Sequence, residues 1–185
     1  MKKLLKLLLV FGLVRYLVFI TTPFEMNIEA LNTPIELPKS IEVNRGVNAN
    51  RDLRTNADRI YYYLTDNGIP HIQTCAIMGN LYQESRLDEN CIESNGIGFG
   101  LVQWSFERRT QLFEELEDPY DLYQQLDFLI KELDVQWTRG YKDIFDNTDN
   151  IEEATIAFCN GFERAGIPMM DTRIRQAIYY SEFYK

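Results

Sequence analysis

Gly79-Asn80-Leu81-Tyr82-Gln83-Glu84-Ser85 closes an apolar helical run, and Gly100-Leu101-Val102-Gln103-Trp104 begins sixteen residues after Glu84. Upstream, Ile72, Ala76, Ile77, Asn80 and Leu81 recur at three- and four-residue steps, so Glu84 lies near the stripe a helix turns toward its core. A carboxyl at the end of a half-buried helix is shielded from water on one side and open to a ligand on the other. Desolvation disfavours the charged form of such a group, which is the environment a general acid needs near neutral pH. The alternative is a glutamate that only caps a neighbouring loop. It fits less well, because an acid at a helix C-terminus opposes the dipole.

Helical signals extend in both directions from this stretch. Thr55-Asn56-Ala57-Asp58 offers an N-cap with an acid in the first turn, followed by Ile60, Tyr63 and Leu64 at helical spacing and a stop at Gly68. Pro70 opens the helix that leads to Glu84. Further helices are predicted over about 105–116, 120–133 and 151–162, with Pro119 separating the first two, and a last one after Asp171. The strand signal is confined to Asn95-Gly96, a two-residue hairpin turn, with Ile97, Phe99 and Leu101 alternating after it. The fold class predicted is mainly α, a helical domain over 53–185 with one small β-hairpin forming an active-site loop.

The glycines of Ile97-Gly98-Phe99-Gly100-Leu101 would fall on one strand face. A face without side chains admits another backbone or a flat ligand, such as a sugar chain lying over Gly98 and Gly100 with Gln103 and Trp104 at its end. The competing reading is a bulged strand with glycines for local packing. A dinucleotide-binding loop is excluded by the spacing and by the lack of a strand–helix–strand context.

The chain has 185 residues, 45% of them apolar and 13% aromatic, which is enough for one domain with a core and a short appendage. Its net charge is −9, yet Lys2, Lys3, Lys6 and Arg15 stand in the first twenty residues without an acid, so the remainder carries −13. No basic stripe with interleaved aromatics follows, which argues against nucleic-acid binding. An acidic body is not drawn to anionic polymers, so specificity must come from a shaped groove. Residues 1–20 have the form of a hydrophobic signal or anchor, with 4–20 at the short end of what spans a bilayer. The alternative is an amphipathic helix packed on a partner. Pro23, Pro34 and Pro38 mark 21–52 as an extended linker.

Cys75, Cys91 and Cys159 are odd in number and match no zinc spacing. Buried thiols at Cys75 and Cys159 are the simpler reading, and a disulfide between them the alternative if the chain is exported. His71 is the only histidine, about thirteen residues or some 20 Å along the helix from Glu84. Triads, Cys/His pairs and His-rich metal sites therefore find little support, and neither a metal nor a cofactor is expected.

Gly79-Asn80 through Glu84-Ser85, Gly98 through Trp104, Arg108-Arg109, Gln125-Leu126-Asp127-Phe128-Leu129 and Phe162-Glu163-Arg164 together resemble the phage tail lysozyme family, in that family's order, over roughly 56–180. The Glu-Ser and Gly-Leu-x-Gln pieces also resemble lytic transglycosylases. The resemblance implies a lysozyme-like fold and cleavage of β-1,4 bonds between MurNAc and GlcNAc in peptidoglycan glycan strands. It places the catalytic acid at Glu84. Glu93 is the candidate second carboxylate, holding a water or stabilising positive charge at the sugar, with Asp88 and Glu89 as rivals and an exposed loop charge as the plain alternative.

Gln103 is expected to bond a sugar acetamide or the loop itself. Trp104 is expected to be mainly core, with Glu163 and Arg164 as a structural ion pair. Without a second carboxylate, the substrate would assist and the product would carry anhydro ends, as in transglycosylases. A glycan-binding module with a dead site and a membrane-tethered interaction protein are the non-enzymatic readings. The expected location is extracytoplasmic, anchored through 4–20 or exported, or else virion-associated with other virion or cell-envelope proteins as partners.

Overall fold

The computed structural model describes Leu53 and residues 55–185. The signal or anchor expected over 1–20 and the linker over 21–52 lie outside the described residues. Among the described residues, no helix is long and apolar enough to cross a membrane.

Seven α-helices run in chain order among these residues: α1 (Asn56–Asp66), α2 (His71–Ser85), α3 (Phe106–Glu115), α4 (Leu122–Glu132), α5 (Tyr141–Asn147), α6 (Ile151–Phe158) and α7 (Met170–Phe183). A π-helical turn, Cys159–Glu163, extends α6. The domain is mainly helical, as the sequence predicts. At the start of α1, the Asp58 amide donates to Thr55 Oγ1 at 3.2 Å and the Thr55 amide donates to Asp58 Oδ2 at 3.1 Å. This reciprocal capping box satisfies donors that a helix start leaves free.

α2 is the central helix. From Gln73 to Leu81 every residue is buried, and α1, α6 and α7 pack around it. α7 approaches closely because of Gly79: a Cβ there would stand 2.5 Å from the Arg173 carbonyl and 2.7 Å from Ala177 Cβ. The core is filled by Ile60, Leu64, Ile77, Met78, Leu81, Phe99, Leu112, Leu129 and Phe158, all without solvent exposure.

The predicted strand is reduced to isolated antiparallel bridges, Ile92 with Phe99 and Phe99 with Trp104. The chain does turn at Asn95-Gly96, where the Gly96 amide donates to Glu93 O at 2.7 Å and the Glu93 amide to Gly98 O at 3.0 Å. A ladder cannot grow because the backbone reverses again at once. Gly100 (φ +74°) and Gln103 (φ +53°) fold 100–103 into a tight turn that returns Trp104 to Phe99.

Two further departures have local causes. α5 gave no periodic signal, being seven residues long with only Phe145 buried. The predicted helix 151–162 leaves α geometry at Cys159, where the π turn inserts an extra residue. Cys75 and Cys159 are buried free thiols and Cys91 is half-buried, so no disulfide joins them. Burial pushes the Cys75 thiol up to about 12, which leaves it unreactive.

Candidate active site

Glu84 occupies the last turn of α2, and the chain leaves that helix through two consecutive left-handed residues, Arg86 (φ +59°) and Leu87 (φ +64°). Non-glycine residues in that region are strained, and such strain collects at functional sites. Ser85 fastens the helix end to the following loop by donating to the Leu101 carbonyl at 2.9 Å.

The Glu84 side chain is 20% exposed and its Oε1 accepts from Arg173 Nη2 at 2.5 Å. Arg173, only 2% exposed, also donates from Nη1 to Asn80 Oδ1 at 3.0 Å and from Nε to the Pro168 carbonyl at 2.6 Å. The arginine is thus held by Asn80 and Pro168 as well as by the glutamate. Such a fixed guanidinium orients a carboxylate better than a mobile surface cation does.

A second buried pair lies beside the first. Arg108 donates through Nε and Nη2 to the two oxygens of Glu132 at 2.8 and 2.7 Å, and Trp104 Nε1 donates to the same carboxylate at 2.7 Å. Glu163, at the end of the π turn, completes the cluster. Its residue is partly exposed, but its Oε1 is out of solvent contact and lacks a hydrogen-bond partner. Burial above all, then the charge of Glu84, pushes its pKa up to about 8, with Glu132 adding to the rise and Arg108 and Arg173 pulling against it.

Two adjoining hollows make one cleft over this cluster. The outer, about 520 Å³, is lined by Glu84, Glu93, Ile97, Gln103 and Phe106; the inner, about 400 Å³, shares Glu84, Glu93 and Gln103 and is floored by Arg108, Glu163 and Arg173. Glu84, Glu93 and Gln103 therefore line the same cleft. Glu93 is exposed and its Oε2 accepts from the Gly98 amide at 3.3 Å. Both amide protons of Gln103 serve the loop, donated from Nε2 to the carbonyls of Gly100 at 2.8 Å and Cys91 at 3.2 Å.

The remaining candidates lie behind the wall. Trp104 is fully buried, with its ring edge-on to Phe128, and does not line the cleft. Gly98 and Gly100 are buried too. A Cβ at Gly98 would be 2.6 Å from Gln103 Oε1, and one at Gly100 would be 2.6 Å from Gln125 Oε1. The glycines face protein amides where the sequence reading placed a sugar, because loop-closing glutamines fill that space.

Of the rival carboxylates, Glu89 accepts from Asn56 Nδ2 at 2.6 Å and Asp88 Oδ1 from the Asn90 amide at 2.9 Å, so both serve the loop. The predicted Glu163–Arg164 pair does not form. Arg164 is exposed in the left-handed region (φ +56°), turned away by the end of the π helix. Three participants escaped the sequence reading: Arg173, Glu132 and Phe106. An arginine on the apolar stripe of α7, four residues before Ala177, was the available signal for the first. His71 lies away from the cleft, bonded to Tyr61 and to the Ser181 carbonyl.

The sequence profile of the phage tail lysozyme family matches residues 55–184, nearly the whole described domain. The chain belongs to the phage tail lysozyme family. A relative, Morphogenesis protein 1 of Bacillus phage B103, is 28% identical over 148 residues, covering 70% of this chain and 39% of its own length. The chain thus spans about two-fifths of the length of that curated relative.

Proposed function

We propose that this phage tail lysozyme relative is a muramidase, hydrolysing the β-1,4 bonds between MurNAc and GlcNAc with Glu84 as general acid. The observation that carries the reading is the placement of Glu84: it is held by a buried arginine, yet lines an open cleft of about 520 Å³ that a second carboxylate, Glu93, also lines. Glu84 protonates the glycosidic oxygen as its bond to the sugar carbon breaks. Glu93, on the loop that follows α2, activates a water or balances the positive charge on the sugar. Gln103 shapes the wall, and Phe106, 76% exposed at the mouth, offers an aromatic face to a pyranose ring. The partner is the peptidoglycan glycan strand. Likeness to a phage morphogenesis protein supports a place in the virion, among other virion proteins.

The test is digestion of purified peptidoglycan by the full chain, wild type beside Glu84→Gln, with mass spectrometry of the soluble fragments. Reducing-end muropeptides, reduced roughly 10²–10⁴-fold by the substitution, are the expected result for loss of a general acid. Anhydro ends would instead assign a lytic transglycosylase. No release from walls of several chemotypes by folded protein would leave a glycan-binding module.

A further inference from the structure

An ion pair needs Glu84 charged, whereas a general acid needs a proton on it. The residues around Glu84 show where that proton is kept. Three carboxyls, Glu84, Glu132 and Glu163, and two guanidiniums, Arg108 and Arg173, form one cluster; all but Glu132 line the inner hollow, and Glu132 joins through Arg108. Glu132 takes both forks of Arg108 and the indole of Trp104, and Glu84 takes Arg173. Glu163 is left over, with a buried Oε1 that no donor reaches. An ionised carboxyl with one oxygen buried and unpartnered is costly, whereas a neutral carboxyl there is tolerable. Charge balance points the same way, since three negative charges against two positive ones favour one bound proton.

We propose that Glu163 is the proton-holding residue of the site: it stays neutral around pH 7 and passes its proton to Glu84 through the inner hollow they share. The inference rests on the reading of Glu84 as the acid, and Glu163 acts through Glu84, not on the sugar. In the transfer, the O–H bond of Glu163 breaks, its electron pair stays on Glu163, and the proton forms an O–H bond on the Glu84 carboxylate. Glu163 becomes a carboxylate beside Arg108 and Arg173, and the total charge is unchanged. Glu84 then gives the proton to the leaving oxygen, and solvent resupplies the cluster.

The groups facing Glu163 come from every neighbouring element. They are Glu84 from α2, Arg108 from α3, Glu132 from α4, Arg173 from α7, and Glu93 across the hollow, with Cys159 in its own turn. The π turn matters here, because its extra residue sets the direction in which position 163 leaves the helix.

The experiment follows the Glu side-chain carboxyl carbons by NMR across pH in the full chain, for wild type, Glu84→Gln and Glu163→Gln. The same proteins are assayed for pH–rate profiles of muropeptide release. One carboxyl that is absent from Glu163→Gln should titrate near 8, and Glu84→Gln should move its midpoint down. Glu163→Gln, which mimics the neutral form and should fold, is expected to lose about tenfold or more of kcat/KM at pH 7 but less at pH 5. The alkaline limb thus shifts to lower pH, and Glu163→Asp restores part of it. A Glu163 that titrates in the ordinary carboxylate range overturns the proposal whatever the enzyme does. An unshifted pH profile in an active Glu163→Gln overturns it while leaving the muramidase reading intact. No release by wild type at any pH removes the muramidase reading, and the relay with it, a failure visible without either variant.

Discussion

Phe106 combines two costs that a folded chain ordinarily avoids: a bulky side chain at φ +49° and an aromatic ring 76% exposed. Left-handed backbone costs a non-glycine residue on the order of 1–2 kcal/mol. Neither cost is offset by packing, but the ring stands at the mouth of the cleft that holds Glu84. Phe106→Gly should therefore leave the midpoint of thermal unfolding unchanged or raise it, by up to about 1 kcal/mol in stability. The same variant should bind glycan fragments severalfold more weakly, with Phe106→Tyr near wild type, as titration with chito-oligosaccharides would show. A drop in stability without any loss of binding would assign Phe106 to packing instead.

At the scale of elements, the site depends on how closely α7 sits on α2. Gly79 lies five residues before Glu84, and the missing Cβ lets the Arg173 backbone come against the helix. Gly79→Ala forces the two helices apart, and overpacking of this kind costs about 1–3 kcal/mol. The expected outcome is a lower urea midpoint together with a larger proportional loss of activity, because Arg173 moves with its helix. Equal stability to wild type would show that α7 yields without strain. The loop on the other side hangs from one buried side chain. Gln125 accepts from the Leu101 amide at 2.9 Å and donates to the carbonyls of Glu89 and Pro119 at 2.8 and 2.7 Å. Arg109 Nη1 adds bonds to the carbonyls of Gly96 and Ile97 at 2.6 and 3.0 Å. Side chains thus replace the strand ladder as the support for the loop that carries Glu93.

For the molecule as a whole, the buried charge cluster makes stability depend on pH. The folded pKa of Glu163, about 8, is raised above its ordinary 4.5. Below the lower value both folded and unfolded chains hold the proton. Between the two only the folded chain does, so this contribution to stability is lost as pH rises. Asp58 acts in the opposite sense. Burial pushes it up, but hydrogen bonds from Thr55 and Tyr184 outweigh that and hold it below its ordinary 3.8, so its contribution is lost as pH falls into the acid range. Urea unfolding of the wild type should show stability declining from about pH 5 to 8, and Glu163→Gln should flatten that decline. Parallel declines in both proteins would mean that other groups carry the dependence.

Amphipathic spacing, the Thr55 cap, Pro70 and Gly68 are local signals, and they sufficed for the helical class, the start of α1 and the helix that carries Glu84. Motif order brought Glu84, Glu93 and Gln103 into one candidate site, because all three lie within twenty residues of the chain. Tertiary structure alone decided the rest. Arg173 reaches Glu84 from 89 residues away, and Glu132 and Arg108 pair across 24. Whether Gly98 and Gly100 face a sugar or a glutamine depends on which side chains arrive from other elements. Glu163 Oε1 is left without a donor for the same reason. Spacing along the chain fixes the face of a helix, but desolvation and charge balance depend on everything folded around that face.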